Sequence, residues 1–525
     1  MKYLLHHVLI NSARRYPDKD AVICAKERTT YRELDETSSK LAWVLQENGV
    51  KRGDRVGVYL DKSIQSVAGI YGILKAGGVY VPVDPRSPSA RTAYIIKDCG
   101  IKCILSSAAK SGTLTQAFPE GSPLDLAVLA DKISGPHKPF PAGKVVPWQE
   151  VAERAETAAP ENKSIDTDLA YIFYTSGSTG RPKGVMLSHL NALSFVNLAT
   201  GEFGITSEDR FSNHAPLHFD ISTFDLFVSF NAGATLVLVP DEVSSFPIAL
   251  ADWIRENGIS IWYSVPSVLS LLVLHGKLER HKFPKLRTVV FAGEPFPVKY
   301  LRRLMELVPN PEYYNLYGST EANVISLCRI GKAPDEHSKS VHIGKTCANM
   351  EMLVLTPEGK PVTEPGEVGE ICARGSLIAQ GYWGDAEKTG RAFVTDPARP
   401  FQDRMYRTGD LATIDEKGNY ILLGRRDHMI KSRGYRVEPG EVEAVLYSHP
   451  EVKEAAVIGL PHEVMGNLIK AFVTFHRQNG LTPADMRTYC AERVPKYMVP
   501  EIIEFRETLP RTSTGKIDKT ELGKE

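Results

Sequence analysis

The chain of 525 residues has little of what marks several large classes of protein. Basic and acidic residues balance at 63 each, so no net charge favours nucleic acid or an anionic membrane. No run of about 18 apolar residues is present, and the apolar stretch 1–10 is too short for a signal peptide. The seven cysteines are scattered, which predicts reduced thiols in a cytoplasmic protein.

What the chain does have is a segment rich in glycine and hydroxyl groups, residues 174–184, which read Tyr-Thr-Ser-Gly-Ser-Thr-Gly-Arg-Pro-Lys-Gly. Small residues, hydroxyls and a cation suit the binding of phosphate oxygens. The apolar run 169–174 predicts a buried strand before it, and 185–189 predicts the start of a helix after it. Arg-Pro separates Gly180 from Lys183, so this is not a P-loop. A mere surface loop is disfavoured, because Lys-Gly and then an apolar segment follow.

The order of apolar segments predicts an α/β fold with largely parallel sheets. A helix is expected over 29–46 and another ending near 74–78, with strands at 55–60, 79–83 and 101–105. Residues 134–165 are rich in proline, alanine and polar residues and are expected to form a connector. A second unit is expected after residue 423, with strands at 454–459, 469–475 and 502–505 and a helix near 484–494.

Residues 174–184, together with five further motifs, resemble the superfamily of AMP-forming adenylating enzymes. The further motifs are Gly-Glu-Ile-Cys-Ala-Arg-Gly at 369–375, Tyr-Arg-Thr-Gly-Asp-Leu at 406–411, Gly-Arg-Arg-Asp at 424–427, Lys-Ser-Arg-Gly-Tyr-Arg-Val-Glu at 431–438 and Pro-Arg-Thr-Ser-Thr-Gly-Lys at 510–516. That superfamily includes acyl-CoA synthetases, luciferases and the adenylation domains of nonribosomal peptide synthesis. The resemblance implies a large N-terminal domain with mixed and parallel sheets over 1–423, a hinge at 424–428 and a small mobile α+β domain over 429–525.

The resemblance also implies a reaction in two steps that uses ATP and Mg²⁺. A carboxylate attacks the α-phosphate of ATP and releases pyrophosphate, and a thiol then attacks the acyl-adenylate. Such chemistry needs positioning and charge neutralisation. Lys516 would bridge the carboxylate and the α-phosphate, Thr320 would contact the α-phosphate, and Glu321 would ligate Mg²⁺. We predict that Lys516→Ala abolishes adenylation.

Further positions match motifs that bind the nucleotide in this superfamily. Asp410 would accept hydrogen bonds from the ribose hydroxyls, Tyr317 would stack on adenine, and Arg425 would approach the ribose or the phosphates. Asp427 would be the hinge, and Lys431 and Gly434 would face the site in the thiol-transfer state. The remaining candidates are Thr175, Ser176, Gly177, Ser178, Thr179, Gly180, Lys183, Gly293, Glu294, Asn315 and Gly318. Without the resemblance, Arg425, Asp427 and Lys431 read as a solvated charge cluster.

Asp220, in His-Phe-Asp-Ile-Ser-Thr-Phe-Asp at 218–225, decides the class of acid. By resemblance it pairs with a substrate α-ammonium group, since a buried cation needs such a partner. The alternative is a helix N-cap. The predicted substrate pocket consists of Asp220, Ile221, Phe224, Tyr263, Val290, Ala292, Leu316, Val324 and Ile325, closed by Lys516. This apolar set suits a small aliphatic amino acid.

At Tyr263, Ala292, Leu316 and Val324 the pocket resembles that of free-standing prolyl adenylating enzymes, which serve pathways of secondary metabolism. L-Proline is therefore the expected substrate, with valine, alanine or a β-amino acid as alternatives. The chain ends nine residues after Lys516, which predicts a free-standing enzyme whose thiol acceptor is a separate holo carrier protein or CoA. The competing hypotheses are an acyl-CoA synthetase for a small carboxylic acid, a nucleotide-binding protein without catalysis, and a luciferase-type oxygenase.

Overall fold

The computed structural model describes residues 2–131, 140–177, 180–335, 338, 341–395, 404–416, 418–426, 428–477, 480–511 and 517–524. Sixteen α-helices lie in these ranges. They are α1 His7–Arg15, α2 Tyr31–Glu47, α3 Ile64–Lys75, α4 Ser89–Asp98, α5 Ser111–Ala117, α6 Trp148–Ala152, α7 His189–Glu202, α8 Ser229–Ala232, α9 Asp241–Ser244, α10 Pro247–Glu256, α11 Pro266–His275, α12 Val298–Leu307, α13 Ala386–Ala392, α14 Pro439–Tyr447, α15 Pro483–Ala491 and α16 Lys519–Leu522.

The first strands belong to the large N-terminal part of the chain. They are β1 Asp20–Cys24, β2 Glu27–Thr30, β3 Arg55–Val58, β4 Val79–Pro82, β5 Cys103–Ser106, β6 Leu126–Leu129, β7 Lys144–Pro147, β8 Leu169–Thr175, β9 Lys183–Ser188, β10 Arg210–Asn213, β11 Thr235–Leu238, β12 Ile261–Ser264, β13 Thr288–Ala292 and β14 Glu312–Tyr317. The others are β15 Ser326–Ile330, β16 Lys345–Thr346, β17 Met350–Leu355, β18 Gly369–Gly375, β19 Gly381–Tyr382, β20 Phe393–Thr395, β21 Arg404–Ile414, β22 Tyr420–Arg425, β23 Ile430–Ser432, β24 Tyr435–Val437, β25 Val452–His462, β26 Gly466–Phe475 and β27 Ile502–Phe505.

Two large sheets, each mostly parallel, form the main body of the protein. One has the strand order β16-β15-β14-β13-β12-β10-β11-β1-β2 and the other β19-β9-β8-β4-β3-β5-β6-β7. One continuous apolar core joins them through α2, α3 and α7, while α10–α12 cover the outer face of the first sheet and α4 and α5 that of the second. An antiparallel sheet of β17, β18 and β20–β22 follows. The expected α/β class is confirmed.

Helix α2 illustrates how the local sequence determines where a helix begins. Thr30 is its N-cap: the Thr30 Oγ1 atom accepts a hydrogen bond from the Glu33 backbone N–H at 3.3 Å, and the Glu33 carboxylate accepts one from the Thr30 N–H at 2.8 Å. This reciprocal pair satisfies two N–H groups that the first turn leaves open. The predicted helix over 29–46 is therefore confirmed with its start shifted by two residues.

The segment after the glycine-rich loop is not the helix that the sequence predicted. Residues 183–188 form β9, which pairs antiparallel with β8, and the helix begins only at His189. The physical reason is the cap at Ser188, whose hydroxyl accepts from the Asn191 N–H at 3.2 Å. The loop therefore connects two adjacent strands, and no helix N-terminus of its own follows it.

The C-terminal unit is a small α+β domain with its own core. The strands β25 and β26 are antiparallel, β27 is parallel to β26 through α15, and α14 covers the sheet. Strand β22 continues to Arg425, into the segment 424–428 that is predicted as the hinge, and Asp427 lies outside the described residues. The predicted connector contains β7, which pairs with β6, and α6; residues 132–139 lie outside the described part.

Candidate active site

A cavity lies at the carboxyl ends of β8, β13 and β14, with the hairpin β23–β24 of the small domain covering it. Open α/β sheets commonly bind ligands at this edge. The lining residues are Phe173, Tyr174, Thr175, Ser176, Phe195, His218, Phe219, Asp220, Ile221, Phe224, Tyr263, Ala292, Gly293, Leu316, Gly318, Ser319, Thr320, Asn323, Val324, Asp410, Arg425, Met429, Lys431, Gly434, Tyr435, Arg436 and Tyr497.

One end of the cavity, the acid end, is apolar and belongs entirely to the large domain. Phe224 is fully buried, and its ring packs edge-on against Tyr263 at a centroid distance of 5.1 Å. Phe203 supports it from behind at 5.7 Å. Such pairs hold aromatic rings in fixed orientations. The depth of this end is therefore set by a packed core.

Asp220 is the carboxylate at the acid end. Burial raises the pKa of Asp220, although a hydrogen bond from the Thr320 hydroxyl opposes that shift. Within the described residues, no lysine, arginine or histidine forms an ion pair with Asp220, while the nearby Glu321 adds repulsion. The helical segment that follows begins at Ser222, and the N–H groups of Ser222, Thr223 and Phe224 donate to backbone carbonyl oxygens at 219–221, not to the Asp220 carboxylate, so the N-cap alternative is not supported. Asp220 thus faces the cavity as a carboxyl group without a cationic partner among the described residues.

Seven of the nine predicted pocket residues line the cavity, and two do not. Val290 and Ile325 are fully buried in the core. Val290 lies on the same face of β13 as Ala292 but two residues before the strand's carboxyl end, so it packs beneath the cavity. Sequence reasoning also missed lining residues. Phe173 lies in the predicted strand at 169–174 but was not named as a site residue, and no motif marks Phe195 or Tyr497.

The other end, the phosphate end, contains a buried charge cluster around Glu321. The Lys183 ammonium lies 2.9 Å from the Glu321 carboxylate, and Arg436 of the small domain lies 3.2 Å from it. The Tyr382 hydroxyl donates to the same carboxylate at 2.8 Å. Burial alone would raise the pKa of Glu321, but Lys183 and Arg436 outweigh burial and hold it well below its usual range. Burial, reinforced by Arg436, lowers the pKa of Lys183 to about 8.

The glycine-rich loop joins this cluster through its described residues. Gly177 must be glycine, because a Cβ there would lie 2.0 Å from the Arg181 carbonyl oxygen. Ser176 donates its hydroxyl proton to the Arg436 carbonyl oxygen at 2.7 Å. The Thr175 hydroxyl is buried with no hydrogen-bond partner in the described part of the chain. An open hydroxyl at this edge suits a phosphate oxygen.

Asp410, which lines the cavity, and Tyr317 form a second polar group. Asp410 lies 2.6 Å from the Arg425 guanidinium and accepts a hydrogen bond from the Tyr317 hydroxyl at 2.7 Å. Tyr317 is buried and does not line the cavity in this orientation of the small domain. The predicted partners of adenine and ribose are therefore neighbours, and here they bond to one another.

Glu294 and Asn315 contact backbone rather than open space. Glu294 accepts hydrogen bonds from the N–H groups of Ser267 at 2.7 Å and Gly434 at 2.9 Å. Asn315 donates to the His342 carbonyl oxygen at 2.8 Å. Both residues are buried at the edge of the cavity. In this orientation, Glu294 therefore holds the small-domain hairpin in place.

Lys431 and Gly434 both line the cavity, with Gly434 at the tip of the hairpin. Gly434 has a φ of +76°, and a Cβ there would lie 2.2 Å from Val265. Tyr435 stacks on Phe219 of the large domain at 5.3 Å and on Tyr497 at 4.0 Å. Tyr435 and Arg436 belong to the motif at 431–438, so the sequence contained a signal for both residues. Neither was predicted as a site residue.

Four predicted site residues, Ser178, Thr179, Asp427 and Lys516, lie outside the described residues. For the others, the arrangement fits a nucleotide with a divalent cation. Glu321 supplies one carboxylate at the phosphate end, and the Thr320 and Thr175 side chains line the cavity. Mg²⁺ is commonly held by one or two carboxylates together with substrate phosphates. Among the described residues, no cluster of three or more His, Cys, Asp or Glu side chains forms a self-sufficient metal site.

Comparisons with known proteins point to one family. The family model described as AMP-binding enzyme matches residues 9–383, and that of the AMP-binding enzyme C-terminal domain matches 441–516. The chain is 37% identical to an L-proline--[L-prolyl-carrier protein] ligase from Pseudomonas fluorescens, covering 99% of each chain. It is 34% identical to a ligase of the same name from Streptomyces coelicolor, covering 94% of this chain and 91% of the relative.

A solved structure is similar over nearly the whole length. It is NpsA-ThdA, an artificially fused adenylation-PCP di-domain NRPS from Klebsiella oxytoca, with a TM-score of 0.79 and 25% identity. The match covers 96% of this chain and 93% of that one. The likeness therefore includes both domains.

Proposed function

This chain belongs to the AMP-binding enzyme family, and from that premise we propose that it activates L-proline with ATP. The products of the first step are prolyl-AMP and pyrophosphate. In the second step the prolyl group passes to the phosphopantetheine thiol of a separate carrier protein. The observation that carries the choice of an amino acid is Asp220, a carboxylate in the apolar acid end of the cavity without a cationic partner among the described residues.

A substrate ammonium group would supply the partner that Asp220 lacks. Removing or omitting one member of a buried charge pair is costly, because the other charge stays desolvated. The remaining side chains at the acid end are aromatic or aliphatic apart from the hydroxyls of Tyr263 and Thr320, and the Thr320 hydroxyl is bonded to Asp220. A polar substrate side chain would lose its hydrogen bonds there, whereas the proline ring would be fully compatible. The names of the two relatives at 37% and 34% identity support the same substrate.

The first step would take place across Thr175, Thr320 and the glycine-rich loop. The substrate carboxylate attacks the α-phosphorus, and the bond to the leaving pyrophosphate breaks. We propose that Lys516 neutralises the charge where the two anions meet, while Lys183 and the loop N–H groups hold the phosphates. Glu321 would hold Mg²⁺, which when bound neutralises phosphate charge. Asp410 and Tyr317 would take the ribose and adenine.

In the second step, the thiol sulfur attacks the carbonyl carbon of the adenylate, its proton passes to solvent, and AMP leaves. The hairpin with Lys431 and Gly434 covers the cavity in this structure, which supports their assignment to the thiol-transfer orientation. We propose that Asp427 is the hinge between the two orientations and that the domain boundary lies beside it. A carrier protein as acceptor is supported by the names of the relatives.

Amino-acid-dependent ATP–pyrophosphate exchange tests this proposal. The substrates would be the proteinogenic amino acids together with acetate, hexanoate and benzoate. We expect L-proline to give the dominant signal, at least about tenfold above the others. Exchange with simple carboxylic acids alone would contradict the amino-acid assignment and favour an acyl-CoA synthetase.

The location in the cell is also proposed. In the described residues no helix is long and apolar enough to cross a membrane. In the described part of the chain no two of the seven cysteines form a disulfide, and five of the seven are buried. Reduced thiols are typical of a reducing compartment, so we propose the cytoplasm.

A further inference from the structure

The small domain brings one positive and one negative side chain to the phosphate end of the cavity. The positive one is Arg436, which lies 3.2 and 3.4 Å from the two oxygens of Glu321. Glu321 is fully buried, so in this orientation Arg436 and Lys183 together compensate its charge. By the proposed function, Glu321 is also the residue that binds Mg²⁺ during the first step.

The negative side chain is Glu441, in the first turn of α14. It accepts a hydrogen bond from the Gly177 N–H of the glycine-rich loop at 3.3 Å and forms a buried ion pair with Arg91 of the large domain. Ala444, from the same helix, lies so close to Gly180 that a Cβ on Gly180 would be 2.9 Å from it. The Glu441 carboxylate therefore accepts the hydrogen bond of the Gly177 N–H group, which is proposed to bind phosphate.

The two side chains belong to one short segment, 436–441, and arrive together. The Ser176 hydroxyl donates to the Arg436 carbonyl oxygen, which ties this segment to the loop at a third point. Arg436 places a positive charge beside Glu321, the proposed metal ligand, and Glu441 places a negative charge beside Gly177 of the glycine-rich loop. A bound Mg²⁺–pyrophosphate complex would place its positive and negative charges at the same two positions. A carboxylate and a phosphate oxygen both accept hydrogen bonds as anions, so the loop can bond to either.

We propose that Arg436 and Glu441 are a displacement pair that competes with Mg²⁺–pyrophosphate. When the small domain docks as in this structure, Arg436 replaces the metal at Glu321 and Glu441 replaces a phosphate oxygen at Gly177. No covalent bond changes in this exchange. The docked orientation and the bound product then exclude each other, so release of pyrophosphate and entry into the thiol-transfer step are one event.

The physical reason for such a pair is the cost of buried unpaired charge. Once Mg²⁺–pyrophosphate leaves, Glu321 would keep only Lys183 and the Tyr382 hydroxyl as partners, and the Gly177 N–H would lose its phosphate acceptor, which is unfavourable in a buried site. The displacement pair supplies the missing partners at that moment. A docked state and a product-bound state that each supply partners to these groups form the kind of two-state element that a domain rotation needs.

An exposed ion pair across the domain boundary offers a direct readout of docking. Lys299 of α12 contacts Glu463 of the small domain, and both side chains are more than half exposed. A carbodiimide activates the Glu463 carboxylate, and the Lys299 amine then displaces the urea leaving group and forms an amide. The yield of the Lys299–Glu463 peptide, measured by mass spectrometry on the full chain, reports the docked fraction.

The experiment titrates Mg²⁺–pyrophosphate into the wild type and into R436Q, R436K and E441Q. We expect saturating Mg²⁺–pyrophosphate to lower the wild-type yield at least fivefold. Because the competitor is weakened, R436Q and E441Q should bind Mg²⁺–pyrophosphate about tenfold more tightly by calorimetry and need about tenfold less of it for half suppression. R436K, which keeps the charge, should lie between R436Q and the wild type.

R477Q and E451Q are matched controls, because Arg477 and Glu451 form an exposed pair on the small domain. They should bind Mg²⁺–pyrophosphate as the wild type does. The proposal is overturned if crosslinking persists when calorimetry shows saturation, or if R436Q and E441Q bind no more tightly than the wild type. It rests on the proposed function only through pyrophosphate as a product, and no amino acid is present, so failure of proline activation would be seen separately.

Discussion

The two ends of the cavity are built on different principles. The acid end, around Asp220 and Phe224, consists of large-domain residues packed into the main core. At the phosphate end the charge partners are shared, because Arg436 and Glu441 come from the small domain. The difference indicates that substrate choice is independent of domain orientation, whereas charge compensation depends on it.

The largest expected effect concerns Lys516 of the small domain. If Lys516 acts at both ends of the cavity, the acid end also depends on the orientation of the small domain. Lys516→Ala should lower proline-dependent pyrophosphate exchange by about 10³-fold or more, because it removes a cation from the point where charge develops. Circular dichroism should show a folded protein. Lys524→Ala, which removes an exposed lysine paired with Glu521, is the matched control. Near-normal adenylate formation by Lys516→Ala would disprove the assignment.

A substitution at Asp220 should affect only the acid end. Asp220→Asn should lower kcat/KM for L-proline by about 10²-fold, because a buried ammonium group loses its charged partner. Cyclopentanecarboxylate has a similar ring and no amine, so its kcat/KM should change little. The measurement is the ratio of the two values in each enzyme. An unchanged ratio would mean that Asp220 does not bind the ammonium group.

The pH dependence of ATP binding should report on the phosphate end of the cavity alone. Burial lowers the pKa of Lys183 to about 8, so its amine is protonated below that pH and neutral above it. We expect KM for ATP to rise above pH 8, by up to about tenfold per pH unit, as the phosphates lose a cation. Lys183→Arg should flatten the profile, since arginine stays charged. A wild-type profile that is flat to pH 9.5 would contradict this role.

The smallest expected effect concerns the aromatic contact that joins the domains, between Phe219 of the large domain and Tyr435 of the small one. Phe219→Leu removes a ring that stacks on Tyr435 at 5.3 Å and an interplanar angle of 29°. The docked orientation should weaken by about 0.5–1.5 kcal/mol, and the Lys299–Glu463 crosslink should fall two- to tenfold. Tyr489→Leu, on the outer surface of the small domain, is the control. Equal crosslinking in both variants would show that the stack does not hold the domains.

Local patterns predicted the elements whose causes are local. The strand at 169–174 is confirmed because six successive apolar or aromatic residues in β8 are compatible with burial on both faces. Residues 185–189 were predicted to begin a helix, whereas 185–188 belong to β9, because a short apolar run does not distinguish the two structures. The pairing of β9 with β8 and the Ser188 cap decide the outcome.

The amino-acid sequence by itself determined the α/β class, the two-domain plan, the glycine-rich loop and the carboxylate at Asp220, since these depend on residue type and short spacing. Only the tertiary structure decided which apolar residues reach the cavity, leaving Val290 and Ile325 in the core and adding Phe173 and Tyr497. It alone also decided that Arg436 pairs with Glu321, 115 residues away in sequence. Contacts of that range depend on how the domains dock, and docking is set by complementary surfaces that no local pattern contains.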